Sequence, residues 1–215
     1  MATLAELEKR IQRLQDVKEI ERLQHIYGYY RDYADWEKVV DLFSDNAESI
    51  EVADHGVYKG KDGIRRFYLD LIKGGPHAKP RVGVFSTALQ MQGVITVAPD
   101  GLNAQGRWYG FLIEARPTLS LHEGELVQTW GHGIYEDEYI KENGKWYFKK
   151  LHFFLNFRTP YEDGWLVTPV VGQNGPSTTV PPDAPSTTWA PYPSGVHFPV
   201  HFAHPITGRH PGEEA

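Results

Sequence analysis

No cysteine occurs in the 215 residues. This removes disulfides, thiol nucleophiles and thiolate metal ligands, and it fits a reducing compartment. Basic charge is also scarce, with 22 Lys and Arg against 28 Asp and Glu and a formal net charge of −6. Without a basic excess, nucleic acid and anionic membrane are poor partners on electrostatic grounds. No apolar run approaches the length of a membrane-spanning helix, and residues 1–13 are charged and helical in pattern, unlike a secretory signal. The expectation is a cytoplasmic protein. The chain also lacks a phosphate loop, a dinucleotide glycine fingerprint and a Gly-x-Ser-x-Gly elbow, so nothing supports a nucleotide cofactor or serine hydrolysis, and no cofactor is expected.

Aromatic residues are plentiful, at 13% of the chain, enough for aromatic packing or an aromatic-lined pocket. At this length one domain is expected rather than two. Leu4, Leu7, Ile11, Leu14, Val17, Ile20, Leu23, Ile26, Tyr27 and Tyr30 recur at steps of three and four, which predicts a helix over 4–33 with a break near Gln15 and Asp16. A second helix is expected over 36–43, capped by Asp35, then a short strand over 49–52 ending in the turn Asp54-His55-Gly56. Gly60-Lys61-Asp62-Gly63 opens a third helix over 64–71, followed by a Gly74-Gly75-Pro76 loop. Four β-branched and aromatic runs follow, at 82–98, 103–116, 125–141 and 145–157. They are joined by Pro99-Asp100-Gly101, His122-Glu123-Gly124 and Asn143-Gly144.

Helices first and an antiparallel meander afterwards make an α+β layout. With helices covering one face only, such a sheet must curl, and its concave side becomes a cavity. From residue 158 onward the composition shifts, with eleven of the fifteen prolines and few charges. We therefore expect a domain over 1–158 and an extended arm over 159–215. The arm carries Trp165, Trp189, Tyr192, Phe198 and Phe202, too apolar for a solvated tail, so it should pack on its own barrel or a neighbouring subunit.

Several patches, in order, resemble the SnoaL-like, nuclear-transport-factor-like superfamily. They are Glu19-Ile20-Glu21-Arg22-Leu23-Gln24, Tyr27-Gly28-Tyr29-Tyr30-Arg31-Asp32, Trp36, Asp41-Leu42-Phe43, Gly56-Val57-Tyr58-Lys59-Gly60 with Ile64, Ala104-Gln105-Gly106-Arg107-Trp108, and 130–139 with Asn143-Gly144-Lys145-Trp146. The similarity covers about residues 4 to 165. It implies a cone-shaped barrel of strongly curved antiparallel sheet, its mouth closed by the first helices, with acid and base groups inside and usually no cofactor. The superfamily includes dehydratases, polyketide cyclases, steroid isomerases, a formaldehyde lyase acting on lignin diarylpropanes, and members that only bind, so chemistry must be argued from the site. In the dehydratase branch a Tyr and an Asp near the end of the main helix face the pocket, and their positions match Tyr27 and Asp32. Those enzymes also use a His early in the first long strand, and this chain has none between His77 and His122.

The expected catalytic groups are Asp32, set among aromatics, with His132 or His152 to move the proton. Tyr27 and Arg107 are expected to hydrogen-bond the oxygen that gains charge. Tyr30, Tyr58, Trp108, Trp130 and Phe154 are expected to hold the substrate. His197, His201, His204 and His210 suggest a metal site, but Pro199 forbids the helix that the i, i+4 pair would need, so no metal is expected. The expected activity is a lyase of aromatic compound catabolism, eliminating water or a small carbonyl fragment such as formaldehyde from a hydroxylated aromatic or polycyclic molecule. A binding module for an apolar small molecule, or an isomerase or cyclase in the same pocket, are the alternatives. The heptad-like N-terminal stripe and the apolar arm call for burial, which leads to a homo-oligomer, trimer or dimer, as the expected assembly.

Overall fold

A computed structural model describes residues 2–74, 82–117 and 126–210 together with Glu213, with side chains for all of these except 116 and 117. The order is α1 (Leu4–Asp32), α2 (Trp36–Asp41), β1 (Ser49–Val52), β2 (Val57–Lys59), α3 (Gly60–Arg65) running into a π-helical segment (Arg66–Ile72), and then β3 (Phe85–Val97), β4 (Asn103–Pro117), β5 (Leu126–Glu142) and β6 (Lys145–Pro160). The six strands form one curved, unclosed α+β sheet in the order β2-β1-β6-β5-β4-β3, packed by the N-terminal helices. The four long strands pair antiparallel as expected, but β1 joins β6 in parallel, so the sheet is mixed. Gly75-Pro76 and His122-Glu123-Gly124 lie outside the described residues.

α1 does not break at Gln15 and Asp16. Asp16 is buried there and accepts from Lys141 Nζ at 2.6 Å, Trp146 Nε1 at 3.0 Å and Gln12 Nε2 at 3.2 Å. These donors hold its carboxyl below the ordinary aspartate value despite burial. The polar interruption is thus where the helix docks on the sheet. Before it, Leu4 and Leu14 are 74% and 67% exposed; after it, Ile20, Leu23 and Tyr27 are buried. Asp35 caps nothing through its side chain and pairs with Lys38 at 2.9 Å instead.

The sheet bends where its register slips. In β3, Gln92 and Gly93 form a bulge opposite Trp108, and a Cβ on Gly93 would lie 2.1 Å from the indole. In β6 one extra residue, Asn156, sits between the pairs Gly133 with Leu155 and His132 with Phe157. The concave face carries the aromatic core of Tyr58, Trp108, Tyr135, Tyr139, Phe148 and Phe153, with Phe67 of the π-helical segment packed against it.

Candidate active site

Between the concave face, α1 and the helices after β2 lies a cavity of about 1090 Å³. Trp36, Phe67, Tyr68, Leu112, Tyr135 and Phe153 give it an apolar wall, with Tyr27, Arg31 and Asp32 entering from the last turns of α1. Helical geometry places Tyr27 and Arg31 four residues apart on one face, so both face the sheet.

Asp32 is fixed through both oxygens. Thr87 Oγ1 donates to Oδ2 at 2.5 Å, and the Ala88 N–H donates to Oδ1 at 3.1 Å. The Arg31 guanidinium stands 3.6 Å from Oδ1. Burial works against the Arg31 charge, but Tyr135, Tyr27, Glu114 and Asp32 around it more than offset this and raise its pKa. Tyr27 and Tyr68 share a hydrogen bond of 3.1 Å, and the Tyr27 ring meets Tyr135 edge-on. Burial pushes all three phenols above the ordinary tyrosine value, leaving them neutral donors near pH 7.

A second charged group lies on the floor. Arg158 Nε stands 3.1 Å from Glu114 Oε2, and Ser86 and Thr129 donate to the same carboxylate at 3.3 and 3.4 Å. With its amide oriented to suit its neighbours, Gln173 accepts from Arg158 Nη1 at 2.8 Å and donates to Asp54 Oδ1 at 2.5 Å.

The histidine in the cavity wall is His55, in the turn after β1, with its ring edge-on to Phe67. Sequence reasoning treated it only as part of a turn. The available signal was a lone His between Asp54 and Gly56 at a strand end, where loops commonly carry function.

Asp32 and Tyr27 share the cavity, but the structure does not bring His132, His152 or Arg107 to it. These three lie on the convex face, under the arm, because strand alternation points them away from the concavity. His132 takes a 2.8 Å hydrogen bond with Asn156 and stacks on Phe157, and burial lowers its pKa. His152 stacks on Phe154 and lies 3.3 Å from Glu51, which also accepts from the arm residue Thr187. Arg107 pairs with Glu136 at 2.6 Å and donates to the arm carbonyls of Phe198 and Pro199; His201 bonds the same glutamate.

The expected substrate-holding aromatics are likewise elsewhere. Trp130 packs on Trp165 and Phe154 on Phe198, both on the convex face. Trp108 is core beneath Gly93, with its indole N–H donating to Tyr139. Tyr58 is buried and donates to the Val180 carbonyl, and Tyr30 stands under the Lys38 ammonium. None of the five lines the cavity. No group of side chains fit to hold a metal ion occurs among the described residues.

Residues 12–152 match the SnoaL-like domain family. The chain belongs to the SnoaL-like family. Solved relatives of this SnoaL-like protein share its fold at low identity. One, from Novosphingobium aromaticivorans and provisionally named a scytalone dehydratase, is 18% identical, with TM-score 0.57 over 77% of this chain and 99% of that one. The type 3 hexachlorocyclohexane dehydrochlorinase LinA of Novosphingobium barchaimii is 18% identical, with TM-score 0.56 over 70% and 93%. A protein from Novosphingobium aromaticivorans described as NTF2-like has TM-score 0.54 at 18% identity over 72% and 91%. Among functionally curated proteins no relative matches significantly.

Proposed function

We propose that this SnoaL-like protein is a cofactor-independent lyase, acting by acid–base elimination on a hydroxylated aromatic or polycyclic molecule and releasing water or a small carbonyl fragment such as formaldehyde. One observation carries the reading: a carboxylate fixed through both oxygens stands beside a guanidinium and neutral phenols in an aromatic-walled cavity. In this scheme Asp32 takes the proton whose removal starts the elimination. The electron pair left behind forms a new double bond as the neighbouring carbon–oxygen or carbon–carbon bond breaks, and the departing hydroxyl, or the carbon that keeps the pair when formaldehyde leaves, takes up a proton from His55. Arg31 and the hydroxyls of Tyr27, Tyr68 and Tyr135 stabilise the oxygen that gains charge, and each such donor is worth roughly a hundredfold or more in rate. His55 takes the proton-transfer role expected of His132 or His152. Relatives named for dehydration and dehydrochlorination are consistent with elimination in this fold. The exposed stripe of Leu4, Leu7, Ile11 and Leu14 supports a homo-oligomer, dimer or trimer.

The test is to incubate wild type and Asp32→Asn, without added cofactor, with a panel of hydroxylated aromatics and follow product mass. Loss of water or formaldehyde with wild type, reduced about a hundredfold or more in a normally folded Asp32→Asn protein, supports the reading. Tight binding to both with no mass change would make the site a binding module, and a rearranged product of unchanged mass an isomerase.

A further inference from the structure

One wall of the cavity belongs to neither the sheet nor the helices. Residues 172–179 of the arm, among them Gln173, Asn174, Ser177 and Thr178, line the cavity together with its aromatic residues. They lie beyond the stretch matched by the SnoaL-like family. Both ends of this strap are pinned. At the near end the Arg158 N–H donates to the Pro169 carbonyl and the Val171 N–H to the Arg158 carbonyl, Gln173 bridges Arg158 and Asp54, and the Gly175 N–H donates to Asp54 Oδ2 at 2.7 Å. At the far end Tyr58 donates to the Val180 carbonyl at 2.7 Å, Arg66 donates to the Pro181 carbonyl at 2.9 Å, and Asp183 takes two 2.7 Å bonds from Arg66.

Between the pins the strap offers uncharged polar groups to the cavity. The side chains of Asn174 and Thr178 make no hydrogen bond among the described residues, and Ser177 bonds only Thr179 within the strap and the Val180 N–H at its far end. An amide and hydroxyls on a segment pinned at both ends, lining the same cavity as the aromatic wall, suit a ligand that carries both a ring and hydroxyl groups. Fixing them in advance avoids the cost of ordering a loop when the ligand binds.

We infer that the strap is the subsite selecting the hydroxylated end of the substrate, with Asn174, Ser177 and Thr178 as its specificity-determining groups and Gln173 as the positioning residue. The inference rests on the lyase reading only for calling that ligand a substrate. Its test uses full-length wild type, the combined Asn174→Ala, Ser177→Ala and Thr178→Val variant, and Gln173→Ala, with two probes, phenylethanediol and ethylbenzene. Binding is read by tryptophan fluorescence, Trp36 lying in the cavity wall, and folding is checked by thermal melting.

Wild type should prefer the diol. The combined variant should lose roughly three- to tenfold in diol affinity per hydrogen bond removed, with ethylbenzene changed less than about twofold. Gln173→Ala should lower the preference in the same direction. Equal losses for both probes, an unchanged preference in the variants, or binding of neither probe to wild type would overturn the inference. Selection by the strap with no conversion of any compound in the mass assay defeats the lyase reading and leaves the strap standing. Conversion with unchanged selectivity does the reverse.

Discussion

Arg158 lies against Glu114 on the concave face because Asn156 adds one residue to β6. Strict alternation from Phe153 and Leu155 would have put Phe157 inside and Arg158 outside. The bulge reverses the two, sending Phe157 to the convex face beside His132 and the guanidinium to the cavity floor. The pair is well shielded, with side-chain exposures of 10% for Arg158 and 0% for Glu114.

A buried pair of this kind resists the loss of one member more than of both. Arg158→Met should lower unfolding stability by about 3–5 kcal/mol by taking the guanidinium at 3.1 Å from the buried Glu114 carboxylate. Adding Glu114→Gln should recover a large part of that loss. Urea denaturation of the two single variants and the double variant measures the coupling.

Thr87 orients the base we assign to Asp32. Thr87→Val keeps the side-chain shape and removes the hydroxyl that Asp32 accepts from. Turnover should fall roughly tenfold or more, with the melting temperature changed by only a few degrees and KM nearly unchanged. Steady-state kinetics on the first compound that wild type converts provides the check.

Asp137 gives a pH signature. Burial pushes its carboxyl well above the ordinary aspartate value, while the His152 N–H donates to Oδ1 at 3.0 Å. The folded protein therefore keeps a proton that the unfolded chain releases near pH 4. That contribution to stability is fully present below this pH and is lost as pH rises toward the folded value, with a slope of roughly 1.4 kcal/mol per pH unit. Asp137→Asn should flatten this limb, so that wild type and variant diverge as pH rises above about 4 in urea titrations.

The arm is held on the convex face by Phe198, stacked 4.0 Å from Phe154, and by the Arg107, Glu136 and His201 cluster. Phe198→Ala combined with Arg107→Ala should release its last part. Limited proteolysis should then cut after residue 190 at least tenfold faster than in wild type, with the sheet intact by circular dichroism.

Much of the fold was legible in the sequence. The four long strands begin and end within a few residues of the runs that predict them, because β-branched and aromatic clusters are bounded by turn chemistry that admits little else. Asn143 and Gly144 both take positive φ, as a tight hairpin requires. The parallel pairing of β1 with β6 was not legible, since nothing local in four residues states which strand they will join. The continuity of α1 through Asp16 was not legible either, because its partners Lys141 and Trp146 are more than 120 residues away.

The site divides along the same line. Tyr27 and Arg31 are four residues apart on one helix, so their common approach to the concave face follows from helical periodicity, whereas Asp32 is turned to the cavity at the helix end by its bonds to Thr87 and Ala88. His132, His152 and Arg107 looked equally suitable, but alternation along a strand says only which residues share a face, and which of the two faces lines the cavity is set by what packs against the sheet. The sequence by itself determined the helix, the strands, the turns and an aromatic-rich concavity, because these follow from local periodicity and backbone preference. Only the tertiary structure decided which polar groups share the cavity. Glu114, Arg158, His55 and the strap at 172–179 meet across long sequence separations, through one bulge and an arm that folds back on its own sheet.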